Sequence, residues 1–95
     1  MNSVFKALAD PTRRGILELL KSQDMTAGEI AGCFEITKPS MSKHFKILRE
    51  ADLIHARREG TSIVYRLNIS LVEEVLMGLV GRLGSGKFNM RKEKK

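Results

Sequence analysis

The apolar residues at the start of the chain recur at the spacing of two amphipathic helices. We predict the first helix over residues 3–9 and the second over residues 11–22. Asp10 separates them and is expected to cap the second helix, with Pro11 in its first turn, where the missing N–H costs no hydrogen bond. The apolar face of this second helix is formed by Ile16, Leu17, Leu19 and Leu20.

Two further helices are predicted in the middle of the chain, separated by a short turn. Thr26 and Glu29 have the spacing of a capping box, which predicts a short helix from Thr26 to about Phe34. The next helix is predicted over residues 37–51. Its buried side is expected to carry Met41, Phe45 and Leu48.

The segment that follows alternates apolar and polar side chains, as half-buried strands do. It predicts a hairpin in which residues 54–58 pair with residues 63–67. Gly60 lies in the turn between them, where a residue that tolerates positive φ is needed. This hairpin ends the alternating part of the sequence.

A last amphipathic helix is predicted to begin at a second capping box, formed by Ser70 and Glu73. The glycine-rich residues 84–86 are expected to end it, and residues 87–95 are predicted to be a basic, disordered tail. Ninety-five residues leave room for one core. We therefore expect one domain, residues 1–86, followed by the tail.

Charge is distributed unevenly along the chain, whose net charge is +6. Residues 37–66 hold seven basic and three acidic side chains, and residues 87–95 hold five basic and one acidic. All other residues together hold five basic and seven acidic side chains. A slightly acidic scaffold thus carries one basic surface and a basic tail, which favours nucleic acid as the partner.

Two short helices joined by a tight turn, followed at once by a basic hairpin, indicate a winged helix-turn-helix. The expected fold is mainly α with a small β-hairpin wing, in the order α-α-α-α-β-β-α. The helix over residues 37–51 is the predicted recognition helix, because its outer side carries short polar and basic side chains that fit a major groove. The predicted DNA-binding residues are Thr37, Lys38, Ser40, Ser42, Lys43, His44 and Lys46 in this helix, with Arg57 and Arg58 in the wing.

The roles of several basic residues stay open at this point. Lys43 reaches either a guanine edge or a phosphate. His44 either makes a hydrogen bond within the helix pair or contacts a phosphate, and His55 is expected on the strand surface. Arg13 and Arg14 form either a solvated helix face or a contact to the flanks of the DNA site.

Three segments closely resemble the ArsR family of bacterial repressors, and its SdpR-type autorepressor branch most of all. They read Ala9-Asp-Pro-Thr-Arg-Arg-Gly-Ile-Leu17, Ser42-Lys-His-Phe-Lys-Ile-Leu-Arg-Glu-Ala51, and Arg58-Glu-Gly60 continuing to Tyr65-Arg-Leu67. The resemblance covers roughly residues 4–83. It implies a homodimeric repressor that binds an inverted repeat in its target promoter, with the first and last helices forming most of the dimer interface. The interface residues expected on this basis are Val4, Phe5, Leu8, Val72, Val75, Leu76, Leu79 and Leu83.

The chain departs from the metal-sensing members of that family. Thr26 and Gly28 stand where the resemblance would place the two cysteines of the family's metal motif. The last helix offers Glu73 and Glu74 but no histidine. Because soft metals are bound by clustered thiolates or imidazoles, we expect no metal site and no cofactor. Without a ligand cluster, we expect control either by the repressor's own concentration or, as the resemblance suggests, by a membrane-bound partner that draws it off DNA.

Cys33 is the single cysteine, so an internal disulfide is excluded and a reducing cytoplasm is expected. We expect it to be a small packing residue on the short helix, with a redox switch as the alternative. No apolar run approaches the roughly 18–20 residues of a membrane span. The N-terminus lacks the pattern of a secretory signal.

Enzyme chemistry is not expected, because the sequence has no glycine-rich phosphate loop and no plausibly spaced Ser/His/Asp set. The competing interpretation is a winged-helix protein-interaction module in which DNA binding is secondary. Its sign would be an exposed apolar patch that does not close a homodimer, formed by Leu76, Leu79, Leu83 and Phe88. Gly78 and Gly81 are either ordinary low-propensity residues or allow two helices to approach closely across a dimer interface.

Overall fold

The computed structural model describes residues 2–83, which form five helices and a three-stranded antiparallel sheet. The helices are α1 (Asn2–Leu8), α2 (Pro11–Ser22), α3 (Ala27–Ala31), α4 (Lys38–Glu50) and α5 (Ile69–Arg82). The strands are β1 (Met25–Thr26), β2 (Ile54–Glu59) and β3 (Ser62–Leu67). The predicted order of helices and hairpin is confirmed, and β1 is an addition to it. The tail over residues 87–95 and the glycines at 84–86 lie outside the described residues.

Three of the predicted helix starts are confirmed by their caps. The Asp10 carboxylate accepts a hydrogen bond from the Arg13 amide at 3.1 Å, with Pro11 in the first turn of α2. Thr26 and Glu29 form the predicted reciprocal capping box of α3. Thr37 caps α4 through the amide of Ser40. Each cap satisfies amides that a helix start leaves without a partner.

The predicted start of α5 is wrong by two residues. The helix begins at Ile69, and its cap is Asn68, whose side-chain oxygen accepts from the Leu71 amide at 3.3 Å. Asn68 also donates a side-chain hydrogen bond to the carbonyl of Asp52 at 2.8 Å. This second bond ties the cap to the end of α4, so Ser70 lies inside the first turn instead of capping it.

The short helix α3 ends earlier than predicted, at Ala31, with Gly32 as its C-cap. Cys33 therefore lies in the turn after the helix, and its side chain is exposed. The expected packing role of Cys33 is wrong. The neighbouring Phe34 packs against the core instead, as predicted for the inner side of this segment.

The core lies between the inner faces of the five helices and the hairpin. The predicted inner side of α4 is confirmed, since Met41, Phe45 and Leu48 are all buried. The largest fully buried side chains are Ile16, Ile30, Leu48, Leu53 and Ile54. Complete burial of each such side chain contributes about 1.5–3 kcal/mol to the free energy of unfolding. Burial of Leu48 therefore anchors α4 in the core, with the opposite side of the helix turned outward.

The sheet has the order β1-β3-β2, so the hairpin is closed on one edge by β1. Met25 pairs with Tyr65, and Ala56 pairs with Tyr65 from the other side. Gly60 takes a φ of 64° in the turn between β2 and β3, as predicted. Strand β1 connects the wing to the segment between α2 and α3. Within residues 2–83, no helix is both long and apolar enough to cross a bilayer.

Candidate nucleic-acid interface

The outer side of α4 carries most of the predicted DNA-binding residues, and the structure brings them together. Because one side of α4 is buried in the core, the opposite side faces solvent. Six predicted residues at the cap and on the helix are exposed: Thr37, Lys38, Ser40, Ser42, Lys43 and Lys46. We call this set the recognition surface. Its short hydroxyls and long cations suit hydrogen bonds to base edges and phosphates.

The hydroxyl groups at the start of α4 are ordered by the helix cap. The Thr37 hydroxyl donates to the Ser40 hydroxyl oxygen at 3.0 Å. It also accepts from the Ser40 amide at 3.3 Å. Because the Ser40 oxygen accepts this bond, its own O–H remains available as a donor, and the bond to Thr37 orients the hydroxyl.

The lysines of the recognition surface are weakly engaged. Lys46 lies 3.5 Å from the Glu50 carboxylate, but both side chains are largely exposed. Such surface pairs contribute little to stability, about 0–1 kcal/mol, so the pair with Glu50 leaves the Lys46 ammonium available to another anion at small cost. Lys43 forms no ion pair with any side chain among residues 2–83.

The two predicted wing residues lie on opposite faces of β2. Arg58 pairs with Ile63 and shares a face with Tyr65, which contacts Phe45 of α4. Arg57 points to the other face, where its guanidinium donates to the carboxylates of Glu59 at 2.8 Å and Asp24 at 3.3 Å. These hydrogen bonds raise the pKa of Arg57 above its ordinary value. Arg58 therefore shares the α4 side of the sheet, and Arg57 is already paired with carboxylates.

His44 is half-buried and turned toward the junction of α1 and α2. Its Nδ1 atom lies 3.2 Å from Nη1 of Arg13 and 3.9 Å from the carboxylate of Asp10. Of the two open interpretations of His44, these contacts support the hydrogen bond within the helix bundle. His55 is exposed on β2, as expected for a strand surface residue.

Arg13 lies differently from both positions that the sequence left open for it. Its side chain is buried, with only 9% of the residue exposed, so neither a solvated face nor a DNA flank describes it. It donates to the carbonyl oxygens of Ala7 and Lys6, each at 2.9 Å. The sequence contained one indication of this burial, because Arg13 lies three residues before Ile16 and thus on the apolar face of α2. Arg14 is exposed, and its guanidinium donates to the Leu8 carbonyl at 2.7 Å.

The carboxylate of Asp10 completes this cluster. Burial alone would raise its pKa, but the hydrogen bond from the Arg13 amide and the positive charge of the Arg13 guanidinium outweigh that effect. The pKa of Asp10 is therefore lower than its ordinary value. Asp10 therefore stays ionised to a lower pH than an ordinary aspartate does.

An open apolar groove of about 400 Å³ lies between α1, α2 and α5. Most of the predicted dimer residues line it. Val4 and Val75 form its buried floor, with 5% and 8% of their surfaces exposed. Leu8 is half-buried, and the remaining predicted residues are exposed: Phe5, Val72, Leu76, Leu79 and Leu83.

Metal-ligating side chains are dispersed in this structure. Among residues 2–83, no group of three or more His, Cys, Asp or Glu side chains is placed to hold an ion. Glu73 and Glu74 both lie exposed on α5.

Comparison with known proteins points to one family. A family model described as a helix-turn-helix domain matches residues 8–57, from the end of α1 into β2. The chain is 48% identical over 86 residues to the transcriptional repressor SdpR of Bacillus subtilis, covering 90% of this chain and 96% of that protein. It is 39% identical over 77 residues to the regulator KmtR of Mycobacterium tuberculosis, covering 81% of this chain and 59% of that protein.

Solved structures show the same architecture. The chain is similar to an ArsR family transcriptional regulator with a TM-score of 0.83 and 29% identity, over 90% of this chain and 94% of that one. It is also similar to the transcriptional repressor BigR of Xylella fastidiosa, with a TM-score of 0.68 and 25% identity. That match covers 84% of this chain and 82% of the other. The winged helix-turn-helix fold predicted from the sequence is thus confirmed.

Proposed function

The chain belongs to the ArsR family of helix-turn-helix transcriptional repressors, and from that premise we propose that it acts as a homodimer on an inverted-repeat operator. The observation that carries the proposal is the two-sided construction of α4. Its inner side is buried through Met41, Phe45 and Leu48, and its outer side presents the recognition surface. A helix held in this way keeps its polar side available to a major groove.

The residues of the interface divide by the contacts that they can make. Ser40, Ser42 and Lys43 are proposed to reach base edges, with Lys43 on a guanine or a neighbouring phosphate. Lys38 at the helix start and Lys46 are proposed to bind phosphates. Arg58 is proposed to follow the backbone or enter a minor groove beside α4.

The homodimer is proposed to form over the apolar groove. Side chains such as Phe5, Leu76 and Leu79 are 43%, 57% and 42% exposed, and they adjoin one another around the groove. Large contiguous apolar surface on a small domain marks an interaction site. A second copy of the chain buries it and presents two α4 helices to successive major grooves, about 34 Å apart.

Control of the repressor is proposed to be independent of metal. Thr26 and Gly28 offer no thiolate where the family's metal motif would have them, and the carboxylates of Glu73 and Glu74 have no histidine beside them on α5. The resemblance to the SdpR-type branch supports a membrane-bound protein as the partner that removes the repressor from DNA. It also supports autorepression and action in the cytoplasm.

Selection from a pool of random DNA duplexes tests the proposed function. The full chain is immobilised, and bound duplexes are amplified over several rounds. We expect an enriched inverted repeat whose half-sites lie about 10 base pairs apart, as two recognition helices on one face of the duplex require. Enrichment of no sequence, or of a single unrepeated half-site, would contradict a homodimeric operator-binding protein.

The exposed apolar groove also favours a second candidate function, the protein-interaction module. The same groove would serve a different protein if two copies of this chain did not close over it. Two measurements decide between the repressor and the module. Light scattering gives the oligomeric state, for which the module predicts a monomer. An electrophoretic shift assay on the promoter of the chain's own gene measures DNA binding, for which the module predicts no shift. Phe88, which the sequence assigned to this patch, lies outside the described residues.

A further inference from the structure

Arg13 joins three helices through a single buried guanidinium. Its Nε and Nη2 atoms donate to the carbonyls of Ala7 and Lys6 in the last turn of α1. Its Nη1 atom lies 3.2 Å from Nδ1 of His44 on α4. The arginine itself stands in the first turn of α2, so one side chain connects α1, α2 and α4.

These contacts use the guanidinium in a way that another cation cannot reproduce. The three nitrogen atoms of arginine lie in one rigid plane and reach three separate acceptors here, whereas a lysine ammonium is a single point. The two carbonyls belong to the last turn of α1, where carbonyl groups are left without the usual helical amide partner. The Lys6 carbonyl also accepts from the Ala9 amide, at 3.2 Å. A buried charge is stable only when it is satisfied in this manner.

The contact also fixes which atom donates between Arg13 and His44. A guanidinium nitrogen carries hydrogens and no lone pair, so it only donates. In the hydrogen bond between them, Nδ1 of His44 is therefore the acceptor. His44 directly follows Lys43 in α4, so the bond from Arg13 acts on the turn of the helix that carries the recognition surface.

We propose that Arg13 is a positioning residue for DNA recognition, acting through its hydrogen bond to His44. It holds α4 against the α1–α2 junction, and α1 lines the groove proposed as the dimer interface. The proposal rests on the proposed function, in which both α4 helices of a dimer engage their half-sites together. If α4 shifts relative to α1, both helices no longer match an operator at once, whereas nonspecific phosphate contacts tolerate the shift.

The test compares an operator duplex obtained by selection with a scrambled duplex of equal length, each titrated by fluorescence anisotropy. The variants are Arg13→Lys, His44→Ala and His44→Asn, because the asparagine oxygen replaces Nδ1 as an acceptor. Arg14→Lys is the matched control, since Arg14 is the adjacent arginine and bonds the Leu8 carbonyl of α1 instead of His44. Because Arg14 also lines the groove, this control counts only if light scattering shows an unchanged oligomeric state. Thermal melting and light scattering are recorded for every variant.

We expect His44→Ala and Arg13→Lys to weaken operator binding by about tenfold, the equivalent of one charge-assisted hydrogen bond. Affinity for the scrambled duplex should change by less than about twofold, since its phosphate contacts remain. His44→Asn should restore most of the operator affinity, and Arg14→Lys should resemble the wild type. Combining Arg13→Lys with His44→Ala should cost no more than either alone, because both remove the same bond.

Three outcomes would overturn the positioning role. The first is wild-type operator affinity in His44→Ala. The second is an equal loss of affinity for the operator and the scrambled duplex. The third is additive losses of operator affinity in the double variant, which would indicate that His44 contacts DNA independently of Arg13. If Arg13→Lys does not fold, the pair His44→Ala and His44→Asn still decides. Lys43→Ala distinguishes failure of the proposed function from failure of the positioning role. Full operator affinity in Lys43→Ala contradicts the proposed function itself. Reduced operator affinity in Lys43→Ala, together with wild-type affinity in His44→Ala, contradicts only the positioning role.

Discussion

The rings of Phe45 and Tyr65 stack with their centroids 4.5 Å apart and their planes inclined by 26°. Phe45 lies on the inner side of α4, and Tyr65 lies in β3, the middle strand of the sheet. Both residues are buried, and burial raises the pKa of the Tyr65 hydroxyl. The stack therefore joins the recognition helix directly to the wing.

Replacement of this stack should reveal a direct coupling between helix and wing. We expect Phe45→Leu and Tyr65→Leu each to lower the free energy of unfolding, with a coupling energy of about 0.5–1.5 kcal/mol between them. The measurement is urea unfolding of the wild type, both single variants and the double variant. Tyr65→Phe keeps the ring and serves as the control. Additive effects, within about 0.3 kcal/mol, would mean that the two rings do not stabilise each other.

The salt dependence of DNA binding should distinguish Arg57 from Arg58. Arg58 shares the α4 side of the sheet, whereas Arg57 is held by Glu59 and Asp24. We expect Arg58→Ala to reduce the slope of log affinity against log salt by about 1, the effect of one lost phosphate contact. Arg57→Ala should change the slope less. A larger change for Arg57 than for Arg58 would contradict this placement of the wing.

Charge placed in the apolar groove should dissociate the proposed dimer without unfolding the chain. Leu76 lines the groove and is 57% exposed, so Leu76→Asp should shift the protein to monomers in sedimentation velocity. Met77 is the matched control, because it is adjacent on α5 and 69% exposed but does not line the groove. We expect Met77→Asp to remain dimeric. Dissociation by both variants, or by neither, would argue against this interface.

The cap at Asp10 should be visible in the acid dependence of stability. Its folded pKa is depressed, so the carboxylate stabilises the fold fully above about pH 4 and this contribution is lost as the pH falls further. We expect Asp10→Ala to cost about 1 kcal/mol at neutral pH. Asp10→Asn keeps a capping oxygen but cannot ionise, so its unfolding free energy should fall less steeply with acid than that of the wild type. Parallel pH curves would contradict the assignment.

Features that depend on neighbouring residues were predictable from the sequence. The caps at Asp10, Thr26 and Thr37 were, because their bonds are completed within three residues. The buried side of α4 was also predictable, because its apolar residues follow the helical period.

Features that depend on distant partners were not predictable. Strand β1 is two residues long and has no period of its own, so it exists only through its pairing with β3. Asn68 rather than Ser70 caps α5 because Asn68 also bonds the Asp52 carbonyl. The burial of Arg13 depends on carbonyls of α1 and on His44, which no local pattern reveals. The recognition surface, in contrast, depends mainly on which side of α4 is apolar.

Operator binding by a Ser40→Ala/Lys43→Ala double variant measures the role of α4 most directly. Both residues are exposed, so their replacement should leave the melting temperature and the dimer unchanged. Because each base contact discriminates by about 1–3 kcal/mol, we predict a loss of operator affinity of at least about tenfold in anisotropy titrations. Wild-type affinity in this variant would contradict DNA recognition through α4.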